Sequence, residues 1–222
     1  MPERSASAIA AAHGVRAARQ QRSLHKQQAL LAAGRQLLQA QDLPSLTVAQ
    51  VAAAAGVAVG SFYARFDDKN AWFAELARQA ALAAFDDLQR LLSSAAMARA
   101  ALPRRTALLM AWLVQVHRDH QGLFRAAVSD PARTQRYWVP FTRLCAQVVD
   151  HVATRWAADL ATLPARGRRA RLDFAFQMVF GTLAQAALHD AGPLKLADPA
   201  LPRELARVFL AALAPPATAA AA

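Results

Sequence analysis

One cysteine, Cys145, is all that the 222 residues contain. A lone thiol forms no intrachain disulfide and no cysteine-based zinc site, and it fits a reducing cytoplasm. Acidic residues are also scarce. Fifteen Asp and Glu stand against 26 Lys and Arg, a formal net charge of +11. Such a surface favours anionic partners, nucleic acid before anionic membrane. Runs that could cross a bilayer are missing: the best, Phe174–Leu188, is short and interrupted by Gln177 and Gln185. A secretory leader is not expected either, because Arg16, Arg19, Arg22 and Lys26 follow the mildly apolar stretch Ser5–Gly14 instead of preceding it. Nor is there a Gly-x-Ser-x-Gly elbow, a glycine-rich phosphate loop or a His-Glu-x-x-His pair, so neither catalysis nor a cofactor is expected. Convincing Val/Ile/Thr/Tyr alternation is lacking, which disfavours sheet.

What is present is helical. Hydrophobic residues make up 55% and charged residues 18% of the chain, enough to bury a core. Much of that apolar fraction is alanine, the strongest helix former, so the fold class is expected to be all-α. Residues 1–21 read as a flexible basic arm. Up to Gln41 six basic residues face Glu3 as the only acid. Leu30, Leu31, Gly34, Leu37 and Leu38 set the period of a first helix from about Ser23 to Ala40, which Asp42, Pro44 and Ser45 end. Thr47 is placed to cap a short helix, Val48–Ala55, closed by Gly56. A third helix follows at about Val59–Arg65, and Asp67 or Asp68 opens a long fourth carrying Trp72, Phe73 and Leu76. Further helices are expected near Arg104–His120, Gly122–Ser129, Pro131–Leu160, Arg168–Asp190 and Pro199–Leu213, separated by Pro103, Pro131, Pro164, Pro193 and Pro199. The tail 215–222 reads as frayed.

The stretch Leu46–Phe66 carries the function. Two short helices flank a glycine turn, and Val48, Val51, Ala55, Val57, Phe62 and Phe66 can meet behind them, an arrangement that offers the second helix to the DNA major groove. Thr47-Val48, Val51-Ala52, Ala55-Gly56-Val57, Gly60-Ser61-Phe62-Tyr63, Phe66-Asp67-Asp68-Lys69 and Trp72-Phe73, in that order, resemble the N-terminal domain of the TetR family of transcriptional regulators. The likeness covers roughly residues 22–76, and more weakly the helix count and size of the remainder.

That resemblance implies an N-terminal helix-turn-helix domain, 22–67, and a larger helical domain, 68–214, for dimerisation and ligand binding. Thr47, Tyr63 and Lys69 would contact phosphates, with helix N-termini favouring the anion at Thr47 and Lys69. Base reading would fall to Ala58, Val59, Gly60 and Ser61. These are small and apolar and include no Asn, Gln or Arg for a bidentate base contact, so Arg65 or the basic arm would compensate. Burial of Tyr63 in the core is the competing reading of that residue.

In the larger domain the resemblance implies that the helices carrying Leu172, Phe176, Val179, Leu183 and Ala186, then Leu205, Val208, Phe209 and Ala212, pair with their copies in a second subunit, with the small Gly181, Ala184, Ala186 and Ala187 permitting close approach. Periodicity alone does not separate such an interface from the subunit's own core. Trp112, His117, Phe124, Trp138, Phe141 and Phe174 are candidate walls of a site for a largely apolar small molecule. His117 and His120 share a helix face, but no third ligand accompanies them and no metal is expected. The implied function is that of a cytoplasmic, non-enzymatic, ligand-responsive repressor, binding double-stranded DNA as a homodimer on a palindrome. The alternative is a non-specific basic DNA-binding protein.

Overall fold

A computed structural model describes residues 3–129, 132–163, 165 and 167–214. The expected tail at 215–222, and the expected breaks at Pro131 and Pro164, lie outside them. All regular elements among the described residues are helices: α1 (Glu3–Ala40), α2 (Val48–Ala54), α3 (Val59–Tyr63), α4 (Lys69–Leu92), α5 (Ala95–Arg99), α6 (Leu102–Asp119), α7 (Gln121–Val128), α8 (Thr134–Arg155), α9 (Ala157–Leu160), α10 (Arg168–Leu188) and α11 (Leu201–Leu213). They divide into two compact units, 1–76 and 77–222. The division falls inside α4, not at its start.

The first unit is built around aromatic rings. α1 packs on α2 and α3, and Leu30, Leu31, Leu38, Val51, Phe62, Trp72 and Phe73 are all buried. Phe62 meets Phe66 at 5.3 Å and Trp72 at 6.2 Å between ring centroids. The indole N–H of Trp72 donates to the Leu30 carbonyl oxygen at 3.3 Å, which satisfies its one polar atom inside the core. Gly34 gives that ring its room: a Cβ at this position would stand 1.9 Å from Trp72 Cζ2.

In the second unit, α10 and α11 pack together, α11 lies on α6, and α10 also meets α7 and α8. Leu172, Phe176, Val179, Leu183, Leu205 and Phe209 are buried there. Arg118 fastens the segment before α11 by donating to the carbonyls of Leu196 at 2.6 Å and Asp198 at 3.1 Å.

Three departures from the expected helices have local causes. The backbone of α1 is helical from Glu3, so the segment read as an arm continues the helix. Its alanines (six of residues 6–18 outside Ala6 itself) favour helix without an apolar face to mark it. The unexpected α5 is only five residues long, capped by Ser94, whose Oγ accepts from Met97 N at 3.2 Å. The long helix expected to end at Leu160 stops at Arg155 and resumes as α9. Within α8, Pro140 removes one backbone donor without ending the helix.

Candidate nucleic-acid interface and ligand cavity

Thr47 caps α2 as expected. Its Oγ1 accepts from Gln50 N at 3.2 Å, and Gln50 Oε1 accepts from Thr47 N at 2.8 Å, a reciprocal capping box. The Thr47 hydroxyl also donates to Gln50 Oε1 at 2.9 Å, so its single proton has an internal acceptor in this structure. Gly56 turns the chain with φ +64°, a left-handed conformation that glycine adopts at no Cβ penalty. Three residues later, at Val59, α3 begins.

The outward surface of α3 consists of Ala58, Val59, Gly60, Tyr63 and Ala64, all exposed, with Ser61 half-buried. Tyr63 is 56% exposed. This removes the reading of Tyr63 as a core aromatic: its ring only edges against Phe62, at 5.5 Å, and its hydroxyl end is accessible. Phe62 faces inward in its place.

Two cations that a charge count offers to DNA are already engaged. Arg65 donates to the Ser61 carbonyl at 2.7 Å, to the Ser23 carbonyl at 3.2 Å and to Ser23 Oγ at 3.1 Å. It therefore ties the end of α3 to α1, and base reading by Arg65 would break those bonds. Lys69 Nζ donates to the carbonyls of Leu43 at 2.7 Å, Pro44 at 3.1 Å and Leu46 at 2.7 Å. An ammonium has three protons, and all three have acceptors. Burial lowers the Lys69 pKa, and the nearby Asp42 carboxylate partly offsets that. Asp42 Oδ1 in turn accepts from Ser45 N at 3.0 Å, and the Ser45 bonds hold the Asp42 carboxyl below its usual range. Lys69 thus holds the 43–46 turn that delivers Thr47 to the start of α2. The sequence does not reveal this, since the partners are backbone carbonyls.

The second unit contains a cavity of about 600 Å³ between α6, α7, α8 and α10. Trp112, His117, Phe124, Trp138 and Phe141 line it, as do Thr142, Cys145, Arg169, Asp173, Phe176 and Gln177. Phe124 stands at the centre of the aromatic wall: its centroid lies 4.9 Å from His117, 4.8 Å from Phe141 and 5.8 Å from Trp138. Phe174 does not take part. It is 55% exposed and is not among the residues that line the cavity, whereas Phe176, two residues on and so about 200° around the helix, is. Burial pushes the Cys145 thiol up to about 11, so it presents a neutral sulfur to the cavity. Among the described residues no three side chains are grouped to hold a metal ion.

The face expected to meet a second copy needs correction. Leu172, Phe176, Val179, Leu183 and Ala186 are buried within the unit itself, as are Leu205 and Phe209. A second stripe, Phe174, Met178, Gly181, Thr182 and Gln185, is exposed along α10, with Val208 and Ala211 exposed on α11. Its spacing is also helical, so α10 carries apolar residues on two sides and the buried set masked the exposed one.

Residues 30–76 match the family of bacterial regulatory proteins, tetR family. No curated protein matches the chain. Solved structures do. A Mesorhizobium loti protein assigned to the TetR family of transcriptional regulators is similar with a TM-score of 0.67 at 18% identity, over 86% of this chain and 96% of that one. The regulator FadR of Bacillus subtilis, solved with stearoyl-CoA, gives 0.61 at 13% identity, over 84% and 99%. The fatty acid degradation regulator FadR of Bacillus halodurans gives 0.60 at 18% identity, over 83% and 94%. Residues 30–76 thus carry the N-terminal domain of the tetR family of bacterial regulatory proteins, and the fold of the chain is shared with solved structures of TetR-family transcriptional regulators.

Proposed function

We propose that the protein is a ligand-responsive, sequence-specific DNA-binding repressor that acts as a homodimer. The observation that carries this reading is the exposed face of α3, with Tyr63 free of the core beside Ala58, Val59 and Gly60, in a domain matched to a family of bacterial regulators. Tyr63 would donate its hydroxyl to a phosphate and fix the helix on the groove. Ala58 and Val59 would meet thymine methyl groups, the apolar feature of the major groove. The cavity among α6, α7, α8 and α10 supports ligand control, as does the stearoyl-CoA held by the similar Bacillus subtilis regulator. A ligand acts here only if it binds the DNA-competent and DNA-free arrangements with different affinity.

Gel-shift titration at fixed salt tests this reading, using DNA from upstream of the protein's own coding sequence and unrelated competitor. Wild type should prefer its site by about 10³-fold or more. Tyr63→Ala should bind it about tenfold more weakly, the loss of one charge-assisted hydrogen bond. If genome-wide selection of bound fragments also yields no preferred sequence, the protein is a non-specific basic DNA binder.

The exposed stripe of Phe174, Met178 and Val208 supports the dimer, since an apolar helix face of this kind is covered in symmetric oligomers. Met178→Glu places a carboxylate in that stripe on both copies. Light scattering should report a dimer for wild type and a dissociation constant raised about a hundredfold for the variant, from burying unpaired charge. A variant that dimerises as tightly as wild type would move the interface elsewhere.

A further inference from the structure

The lining of the cavity is chemically selective. Trp112, Phe124, Trp138 and Phe141 give it flat aromatic walls, which suit a ring stacked or set edge-on against them. Among the described lining residues Arg169 is the one guanidinium or ammonium, and it already serves two carboxylates: Nε donates to Asp173 at 2.7 Å and an Nη to Asp150 at 2.9 Å. An anionic ligand would find its counter-ion taken and Asp173 repelling it.

His117 supplies the polar contact. Its Nδ1 lies 2.8 Å from the Leu113 carbonyl oxygen. A carbonyl only accepts, so Nδ1 carries the proton and Nε2 is left as the ring's acceptor. The imidazole is stacked on Phe124, with 22° between planes, and burial pushes its pKa down to about 4. At neutral pH it is therefore an uncharged acceptor in an apolar wall. Resting on the reading of this cavity as a ligand site, we infer that it takes an uncharged aromatic molecule bearing a hydroxyl or N–H group, which donates to His117 Nε2.

Calorimetric titration of the full chain with 2-naphthol, its methyl ether and 2-naphthoate tests this at neutral pH. The three share a ring system and differ in having a donor, no donor, or a charge. 2-Naphthol should bind at least about tenfold more tightly than the other two, one hydrogen bond in a buried site. His117→Phe should remove the preference of the protein for 2-naphthol over the ether, and a circular-dichroism spectrum matching wild type shows the variant to be folded. Equal wild-type affinities for 2-naphthol and the ether, or tightest binding of 2-naphthoate, would overturn the proposal and leave the cavity a ligand site. No binding of any of the three would overturn both.

Discussion

Gly34→Ala should destabilise the N-terminal unit by about 3 kcal/mol, the upper range for a methyl group forced into a packed core. Two effects oppose each other at this position. Alanine in the middle of a helix is favoured over glycine by about 1 kcal/mol, so α1 taken alone would gain. The added Cβ, however, would lie 1.9 Å from Trp72 Cζ2 and 2.6 Å from Cη2, and Trp72 is fully buried with its N–H bonded to Leu30. Relieving that overlap requires moving a fully buried ring or the helix packed against it. Denaturant unfolding of wild type, Gly34→Ala, Trp72→Phe and the double variant measures the term. In the Trp72→Phe background the colliding atoms are gone, so Gly34→Ala should cost far less there. An equal cost in both backgrounds would mean that the collision is not the cause.

The second unit should lose about 2 to 3 kcal/mol of stability between roughly pH 7.5 and pH 4.5 through His117 alone. In the folded protein this imidazole has a pKa of about 4, lowered by burial, with the Leu113 bond opposing and the charge of His120 adding slightly. In the unfolded chain it returns to about 6.5. Between those values the unfolded state holds the extra proton, so stability is complete above about pH 6.5 and declines as the pH falls towards 4. Unfolding titrations at the two pH values should show this loss in wild type, with the His117→Phe variant flatter by the same amount. Parallel pH profiles of the two proteins would show that another group controls the acid sensitivity.

The helices and the turn between α2 and α3 were legible because their signals are local. Thr47 three residues before Gln50, Gly56 at the turn, and the spacing of Leu30, Leu31 and Leu38 each act within a few residues. Five cavity residues were legible from the aromatic content of amphipathic helices, while Phe174 was misplaced because α10 is apolar on two sides and its period does not say which side is inside. The roles of Lys69 and Arg65 were not legible at all. A cation in sequence reads as surface charge, yet here Lys69 is held by carbonyls 23 to 26 residues away and Arg65 by Ser23, 42 residues away, as well as by the Ser61 carbonyl, and backbone acceptors leave no mark on composition. The start of α1 was missed for a different reason: alanine favours helix whether or not a face is buried, so periodicity had nothing to register.

In and around α3 the residues that hold the fold and those that face outward are different residues. Phe62 is wholly buried and Phe66 nearly so, whereas Ala58, Val59 and Gly60 are exposed and a Cβ added at Gly60 meets nothing within 4 Å. Mutational drift can therefore replace the outward set one residue at a time with little penalty in stability. Descendants of this chain can change the chemistry of that outward face while inheriting the same scaffold, and the short side chains now present leave the widest range of larger replacements open.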